Sequence, residues 1–423
     1  MPFDRSMPVL LLTALLAGCG RESKAAWTTP DERPRDAGAA TKAASSSSAE
    51  TTTSGDVYDP DVIPRFELTL DAAALEVLSS PAEADKKKWV HGTFKYGATV
   101  LEGVGVRRKG SSTFRVLPKK VALKVKFNKY KAHQRFQGLT QLTLNNQISD
   151  PTFLEERLGY YVYRSMGLPA QRANEARVFI NGEDYGLHAN VETPDKDFLS
   201  RAFGGRGKTL YEQRWGSQWT PGAESGFEVK VGPKDKADLS RLFRAVASAR
   251  STSLLGDVSS RLDTNRFLDH CAVEAVIGDI DAYGFATWGS GNYFLVGDAE
   301  GSFSMVPWSL DQSFNDRAGV VDANNPLPAD PTNGGATLLT RCKQSSACWS
   351  AYASHVQAVL AKYESLDLVR VATRWHAQID ELALADPKKE YSNSAYGAET
   401  SALYRWLAAR PALVRKQLGL PRP

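Results

Sequence analysis

Four oxygen-bearing side chains in the second half of the sequence have the types and spacing of a divalent-metal site. They are Asp279, Asp281, Asn292 and Asp311. The first two follow a predicted helix, the asparagine opens a predicted β-hairpin, and the last aspartate follows that hairpin's second strand. Because a hairpin brings its two ends together, Asn292 and Asp311 should be neighbours, and the preceding loop can add another aspartate. Such ligands suit Mg²⁺ or Mn²⁺, which takes its other ligands from water and phosphate. Alternatively, these acids only cap the turns and helix ends that they adjoin.

A basic region in the first half has residues that could bind a polyphosphate. Residues 101–135 contain eleven Lys and Arg but one acidic residue, Glu102. Two predicted strands flank a Gly/Ser-containing loop there, and the second strand alternates apolar residues with lysines. Backbone N–H groups and hydroxyls of such a loop can bind phosphate oxygens, while a strand lysine neutralises their charge. The candidates are Arg108, Lys109, Gly110 and Ser111 in the loop, and Lys120 and Lys124 on the strand.

Two other interpretations of this basic region remain open at the level of sequence. It could be a solvated strand face without a ligand. It could also bind RNA or DNA, but only Phe114, Phe127 and Tyr130 offer rings for base stacking, and no known nucleic-acid module is present. The whole chain carries a formal charge of only +4. We therefore expect no nucleic-acid partner.

A helix and a hairpin follow the basic region. Asp150 and Pro151 are typical of a helix start, and Leu154, Leu158, Val162 and Met166 recur at helical spacing. Glu155 and Glu156 lie in the first turns, where they suit the helix dipole, although one of them could instead pair with a phosphate-binding lysine. The dipeptide Asn181-Gly182 then predicts a tight turn between strands over residues 176–180 and 185–192.

Length and composition limit the classes of protein. The chain has 423 residues, of which 42% are hydrophobic and 24% charged. These values are globular and exclude a wholly disordered chain, a collagen and a polytopic membrane protein. After residue 56 we find neither a linker nor an internal repeat. The sequence therefore predicts one globular unit, divided into two lobes, and we expect a monomer.

The first 56 residues predict export and attachment to a membrane. An apolar run over residues 9–18 is too short to span a bilayer and suits a signal-peptide core, which ends at Cys19. We interpret residues 1–18 as a lipoprotein signal peptide, Cys19 as the lipid-attachment site, and 19–56 as a Ser/Thr/Ala/Pro-rich tether. The mature protein would then lie in the cell envelope, facing the periplasm or exterior. A plain secretory signal with an incidental cysteine is the alternative, and translation could begin at Met7.

The remaining cysteines agree with an oxidising compartment. Cys342 and Cys348 bracket a short polar segment, and a local disulfide between them is the expected pairing. Zinc is disfavoured because no further ligands occur at metal-binding spacing. Cys271 lies in an apolar helical pattern, where a cysteine serves as a small buried hydrophobe.

Three stretches of the sequence resemble signatures of the CotH-type kinases, the spore coat protein H family of atypical protein kinases. The first is GVGVRRKGSSTF with the following KKVALKVKF. The second is LNNQISDPTFLEERLGYYVYRSMGLPA with ARVFINGEDYGLHANVE, and the third is DIDAYGFATWGSGNYFLV with FSMVPWSLDQSF. The order of the signatures matches the family, and the resemblance covers nearly all of the chain after residue 56.

The resemblance implies an α+β, atypical protein-kinase-like fold and a set of site residues. It implies a β-rich N-lobe over about 57–195, a mainly helical C-lobe over about 196–423, and ATP-dependent phosphorylation of Ser/Thr in protein substrates with Mg²⁺ or Mn²⁺. Asp281 would be the base or a metal ligand, with Asp279 as the alternate, and Asn292 and Asp311 would bind metal. Nucleotide contacts would come from Lys120, Lys124, Arg108, Lys109, Gly110 and Ser111, with Glu156 and Glu192 in the same set.

Two departures from the family pattern leave a second function open. Ser309 stands where the family's Trp-Asp-Leu-Asp motif has its first aspartate, and the separation of Asp281 from Asn292 is longer than usual. A catalytically degenerate pseudokinase, acting as a surface binding protein or adhesin, is therefore the alternative. Retention of Lys124, Asn292 and Asp311 favours the kinase. A hydrolase has no support, because neither a Gly-x-Ser-x-Gly nor a His-Glu-x-x-His motif occurs.

Overall fold

Seven strands between Arg65 and Val191 close into a β-barrel. The computed structural model describes residues 56–284, 291–316 and 336–419. The barrel order is β1-β2-β3-β4-β5-β7-β6, closed by parallel pairing of β1 with β6. The strands are β1 (Arg65–Thr69), β2 (Val90–Tyr96), β3 (Thr99–Arg108), β4 (Leu123–Lys126), β5 (Gln141–Asn145), β6 (Ala173–Ile180) and β7 (Glu183–Val191).

Alternation of apolar and polar residues builds the barrel interior. On β4, Leu123 and Val125 are fully buried, whereas Lys124 and Lys126 face outward. The turn between β6 and β7 has positive φ at both Asn181 and Gly182, the geometry that this dipeptide favours. The hairpin predicted here is confirmed.

The rest of the described chain is mainly helical, with a second sheet. That sheet has the order β11-β10-β8-β9. Its strands are β8 (Thr209–Gln213), β9 (Phe227–Val231), β10 (Tyr293–Gly297) and β11 (Phe303–Pro307). The helices are α1 (Ala72–Ser79), α2 (Glu155–Ser165), α3 (Lys196–Phe203), α4 (Ala237–Ser248), α5 (Leu254–Val258), α6 (Thr264–Ile277), α7 (Thr337–Lys343), α8 (Ser346–Ser365), α9 (Leu368–Leu384) and α10 (Asn393–Gln417). The predicted α+β class, β-rich first and mainly helical afterwards, is confirmed.

Helix α2 follows β5 in sequence but packs in the core of the helical part. Leu158 and Val162 on α2 are fully buried in the same apolar cluster as residues of α6, α8 and α9. The helix begins later than the Asp150-Pro151 signal predicts. The Asp150 carboxylate accepts the backbone N–H groups of Thr152 and Glu155 at 2.8 Å each, so it organises a turn ahead of the helix. Phe153 within that turn has a positive φ of 60°, which a helix does not allow.

A helix and a disulfide after β7 agree with the predictions from the sequence. Helix α6 lies before Asp279 as predicted, with Asp263 accepting the Arg266 N–H as N-cap and Gly278 in the left-handed conformation at its end. A disulfide joins Cys342 to Cys348.

No helix of the described ranges is long and apolar enough to cross a membrane. The predicted lipid-attachment residue, Cys19, lies outside the described residues.

Candidate active site

The β10–β11 hairpin brings together the polar residues at its two ends. Asn292 immediately precedes β10, and its carbonyl accepts the backbone N–H of Trp308 at 2.9 Å, just beyond β11. The Asn292 amide donates to Asp281 twice, at 2.7 Å to Oδ2 and 2.8 Å to the backbone carbonyl. The loop after α6 and the hairpin are therefore fastened to each other where the sequence predicts that they meet.

Asp311 lies close enough to Asp281 to influence the charge of the Asp281 carboxyl. Burial, and then the negative charge of Asp311, raise the pKa of Asp281 to about 7. Gln312 donates to the same Oδ2 of Asp281 at 3.2 Å. A cation between these carboxylates would relieve their repulsion. The structure thus places Asp281, Asn292 and Asp311 in one cluster, with oxygen donors of the kind that Mg²⁺ and Mn²⁺ prefer.

Asp279 occupies a different position from Asp281. It is 1% exposed, whereas Asp281 is partly exposed. Its Oδ1 accepts the Asp281 N–H at 3.2 Å, and burial and nearby Glu274 raise the pKa of Asp279 well above its ordinary value. Asp279 therefore supports the backbone of the loop that presents Asp281.

A lysine, an asparagine and a glutamate link β3, β5 and α2. Lys109 directly follows β3, and its ammonium donates to Oδ1 of Asn145 at the end of β5. The Asn145 amide donates to both oxygens of Glu156, at 2.9 and 2.8 Å. Burial, and then the charge of Asp311, raise the pKa of Glu156 to about 8, while Lys109 acts in the opposite direction. This hydrogen-bonded chain therefore lies beside the acidic cluster.

Tyr160 ties α2 to the segment that carries Asp311. One helical turn after Glu156, the Tyr160 hydroxyl lies 3.5 Å from Glu156 Oε1 and accepts the Ser309 backbone N–H at 3.2 Å. Ser309 has a positive φ of 54°, and its hydroxyl donates to Asp311 Oδ1 at 2.9 Å. Ser309, which stands where the Trp-Asp-Leu-Asp motif has its first aspartate, thus orients Asp311 through its hydroxyl.

Lys124 lies on the outer face of the barrel, toward the second sheet. Burial lowers the pKa of Lys124 to about 7, the charge of Glu212 on β8 raises it, and the charge of Lys109 lowers it. Within the described ranges, the Lys124 ammonium has no hydrogen bond or ion pair. Lys230 on β9 forms ion pairs with Glu212 and with Glu228, the latter at 2.7 Å. Lys124 therefore retains donors for a ligand in a cleft that charged residues line on both sides.

Trp308 adds an aromatic surface to this cleft. Its ring is partly exposed, contacts Phe294 edge-on at 5.5 Å, and lies 5.3 Å from the Lys109 ammonium. A cation over an aromatic face is attracted by the ring's quadrupole. The ring therefore contributes to the position of Lys109 and offers a flat surface beside it.

Three residues predicted for the nucleotide site lie elsewhere. Lys120 forms a buried ion pair with Asp386 at 2.6 Å, Arg108 donates to the carbonyls of Ser80 and Asp85, and Glu192 pairs with Arg172 and Arg201. Each has its charge or donors committed to a protein partner. Lys120 is therefore removed from the predicted phosphate contacts, of which Lys109 and Lys124 remain, since an ammonium 1% exposed against a carboxylate 0% exposed does not reach a ligand.

The remaining loop candidates follow Lys109 in the chain. Gly110 has a φ of +108°, and a Cβ there would lie 3.1 Å from the Thr113 hydroxyl, so the position needs glycine. Ser111 is exposed, and its carbonyl accepts the Phe114 N–H at 3.2 Å. The loop is thus a tight turn whose backbone starts next to Lys109.

Asn145, Tyr160 and Gln312 also belong to the site but are not among the residues predicted from the sequence. The first two have a signal in the sequence: Asn145 ends an alternating strand, and Tyr160 lies four residues after Glu156, on the same face of a helix. Gln312 has none. Its role depends on the course of the chain after β11. In the described part of the chain, no three His, Cys, Asp or Glu side chains form a ready-made metal-binding group.

Comparisons with known proteins bear on this site. The sequence model of a family described as "CotH kinase protein" matches residues 106–414. "Inner spore coat protein H" of Bacillus subtilis (strain 168) is 20% identical over 300 residues, covering 67% of this chain and 80% of the relative. A structure of the Shewanella oneidensis MR-1 toxin–antitoxin system HipA, HipB and its operator DNA matches 74% of this chain and 67% of its own, with 14% identity and a TM-score of 0.29.

Proposed function

Since the chain belongs to the CotH kinase protein family, we propose that it transfers the γ-phosphoryl group of ATP to Ser or Thr side chains of protein substrates. The observation that supports this best is the meeting of two arrays. One is the hydrogen-bonded chain Lys109–Asn145–Glu156, and the other is the cluster of Asp281, Asn292 and Asp311. Enzymes that transfer phosphoryl groups need a cation on the phosphates, carboxylate or amide oxygens for a metal, and a positioned base.

In this proposal Lys109 and Lys124 contact the phosphates. Asn145 holds the Lys109 ammonium in place, while Glu156 fixes Asn145 through both carboxylate oxygens. Asp311 and Asn292 would hold Mg²⁺ or Mn²⁺. Both hydrogen bonds from Asn292 to Asp281 use its amide nitrogen, so its Oδ1 can face a metal. A bound metal would neutralise phosphate charge.

Asp281 is the proposed base. A carboxyl with a pKa of about 7 can accept a proton near neutral pH. The substrate hydroxyl oxygen would form a bond to the γ-phosphorus as its proton passes to Asp281, and the bond from that phosphorus to the β-phosphate oxygen would break to release ADP. We assign this role to Asp281 rather than Asp279 because Asp279 is only 1% exposed and its Oδ1 accepts the Asp281 N–H, whereas Asp281 is partly exposed.

A binding protein without turnover is the second candidate function. The observation that favours it is Ser309, which removes one carboxylate from the family motif. Its hydrogen bond to Asp311 supports the enzyme instead, since the metal ligand stays oriented. Both candidates predict nucleotide binding, and only the first predicts transfer.

We also propose that the protein works in the cell envelope. The Bacillus subtilis relative is by its description a spore coat protein, and the disulfide between Cys342 and Cys348 suits an oxidising compartment. Attachment through a lipid at Cys19 remains part of this proposal. The partners would then be envelope proteins with accessible Ser or Thr side chains.

The test combines binding and transfer in the full chain. We expect ATP with Mg²⁺ or Mn²⁺ to raise the melting temperature, since a ligand at a hundred times its Kd stabilises by about 2.7 kcal/mol. Radiolabelled phosphate should pass from ATP to a peptide rich in Ser and Thr. Asp281→Asn should abolish transfer, whereas Asp316→Asn, an exposed aspartate five residues beyond Asp311, should not. Binding without transfer would support the second candidate, and no metal-dependent shift would overturn the proposed site.

A further inference from the structure

A cavity lies between the C-terminal part of α2, α9 and the start of β6. Its volume is about 560 Å³, within the range of small-molecule sites. Its lining includes four arginines and three aromatic rings: Arg164, Arg172, Arg370, Arg374, Tyr58, Tyr161 and Trp375. None of these residues belongs to the cluster around Asp281.

Positive charge exceeds negative charge at this cavity. Glu192 is shared between Arg172 at 2.9 Å and Arg201 at 2.5 Å. Asp367 pairs with Arg370 at 3.2 Å, and Asp61 pairs with Arg374. Arg164 has no carboxylate partner among the described residues and donates only to the Gln171 carbonyl. The four arginines of the lining, together with Arg201, which shares Glu192, therefore carry five positive charges against three carboxylates, an excess of two.

The arginines are also incompletely satisfied. The Nε of Arg172 is buried without a hydrogen-bond acceptor, and so is the Nε of Arg157, which stacks 3.9 Å from the Trp375 ring centroid. Burial, and then the charge of Arg201, lower the pKa of Arg164 to about 10. Guanidinium groups held near each other in a concave site, with fewer carboxylates than positive charges, favour an anion.

The aromatic rings give the cavity an apolar side. Tyr161 and Trp375 contact each other edge-on at 5.5 Å, and Val371 lines the cavity one turn before Trp375. A guanidinium fork binds phosphate oxygens in pairs, and a phosphate monoester carries nearly two negative charges at neutral pH. We propose that this cavity binds a small phosphate monoester with a flat apolar body, its phosphate on Arg164 and Arg172 and its body against Tyr161 and Trp375.

Phenyl phosphate is the probe, titrated calorimetrically into the full chain without nucleotide. We expect binding that Arg164→Gln weakens by about tenfold or more, the effect of losing one charged hydrogen bond. Val371→Phe should also weaken binding, because the larger side chain takes space inside the cavity and leaves every arginine in place. Arg244→Gln, an exposed arginine on α4, is the matched control and should bind like wild type.

Equal binding by wild type, Arg164→Gln and Val371→Phe would overturn the site. Inorganic phosphate binding as tightly as phenyl phosphate would overturn the apolar part of the proposal. Asp311→Ala should keep phenyl phosphate affinity, which separates this cavity from the cleft. Absence of any Mg-ATP binding would overturn the proposed function and leave the proposal for this cavity intact.

Discussion

Lys109 is held by an amide rather than by a direct ion pair. Asn145 accepts from the ammonium and passes two hydrogen bonds to Glu156. A neutral intermediary leaves Lys109 less neutralised than a carboxylate partner would, so more of its charge is available to a phosphate. The pKa of Glu156 is raised for a different reason. Burial and the charge of Asp311 disfavour a negative charge on this carboxyl.

Replacing Asp311 tests the metal assignment directly. We expect Asp311→Ala to abolish metal-dependent stabilisation by ATP. The ligand-free melting temperature should stay the same or rise, since the Asp311 charge raises the pKa of both Glu156 and Asp281. Thermal-shift titration with and without Mg²⁺ measures both effects. Unchanged Mg-ATP affinity in this variant would remove Asp311 from the site.

The pKa of Glu156 gives stability a specific pH dependence. Its value is raised to about 8 in the folded chain, so between about 4.5 and 8 the folded state keeps a proton that the unfolded state has lost. The contribution of Glu156 to stability is therefore full at low pH and is lost as pH rises through 8. Glu156→Gln should melt progressively higher relative to wild type from pH 5 to pH 8.5. A difference in melting temperature that does not vary with pH would contradict this assignment.

The sequence identifies the acidic residues of the site better than its lysine. Asn292 and Asp311 flank one hairpin, so local geometry determines that they meet. Alternation along a strand shows that Lys124 faces outward, but not what packs over Lys120. That depends on Asp386, which is 266 residues away. The position of Lys109 depends in turn on its hydrogen bond to Asn145. That residue lies on β5, which pairs with β4 rather than with β3, so no local signal links the two residues.

At the scale of elements, the packing of α2 against the Asp311 segment controls the site. Gly159 on α2 faces Leu310, and a Cβ added there would lie 2.8 Å from Leu310 Cδ1 and 2.9 Å from its Cβ. Helix propensity favours alanine at this position, but the close approach requires glycine. The same approach keeps Glu156 within reach of Asp311.

Two glycine-to-alanine substitutions should therefore have opposite effects. Gly159→Ala overpacks the contact with Leu310 and should destabilise the fold by about 1–3 kcal/mol, while also weakening Mg-ATP binding. Gly397→Ala lies on an exposed part of α10 with nothing within 4 Å, so it should stabilise by about 0.5–1 kcal/mol. Urea unfolding measures both. Similar changes in the two variants would show that α2 tolerates a wider spacing.

Elements with local signals are those that the sequence predicts well. Helix α6 has an aspartate N-cap and a glycine at its end, and the β6–β7 hairpin has Asn181-Gly182. The start of α2 is predicted too early, because an aspartate can cap a turn as well as a helix. Closure of the barrel by β1 and β6 has no local signal, since it depends on strands separated by more than a hundred residues.

For the whole molecule, the ion pair of Lys120 and Asp386 joins the barrel to the connection between α9 and α10. Asp386 also accepts the Leu187 N–H at 3.0 Å, and a Cβ at Gly186 would collide with its carboxylate. The carboxylate is thus enclosed by the barrel surface. Removing its cation leaves a buried charge without compensation.

Lys120→Met should destabilise the fold by about 3–5 kcal/mol. Lys119→Met, at the exposed neighbouring lysine, should change stability by less than about 0.5 kcal/mol. Chemical denaturation gives both values. Mg-ATP affinity, measured under conditions where the variant is folded, should be unaffected in both, in contrast to Lys109→Met. A selective loss of nucleotide binding in Lys120→Met would restore Lys120 as a phosphate contact.

The position of α2 in the chain has a consequence during synthesis. One part of its apolar face packs against β6, which follows soon after it, but the face that packs against α6 waits until α6 leaves the ribosome about a hundred residues later. At typical rates of translation this leaves the face exposed for several seconds. A chaperone that recognises apolar helices would have its opportunity in that interval, and a nascent chain stalled before α6 would be its best substrate.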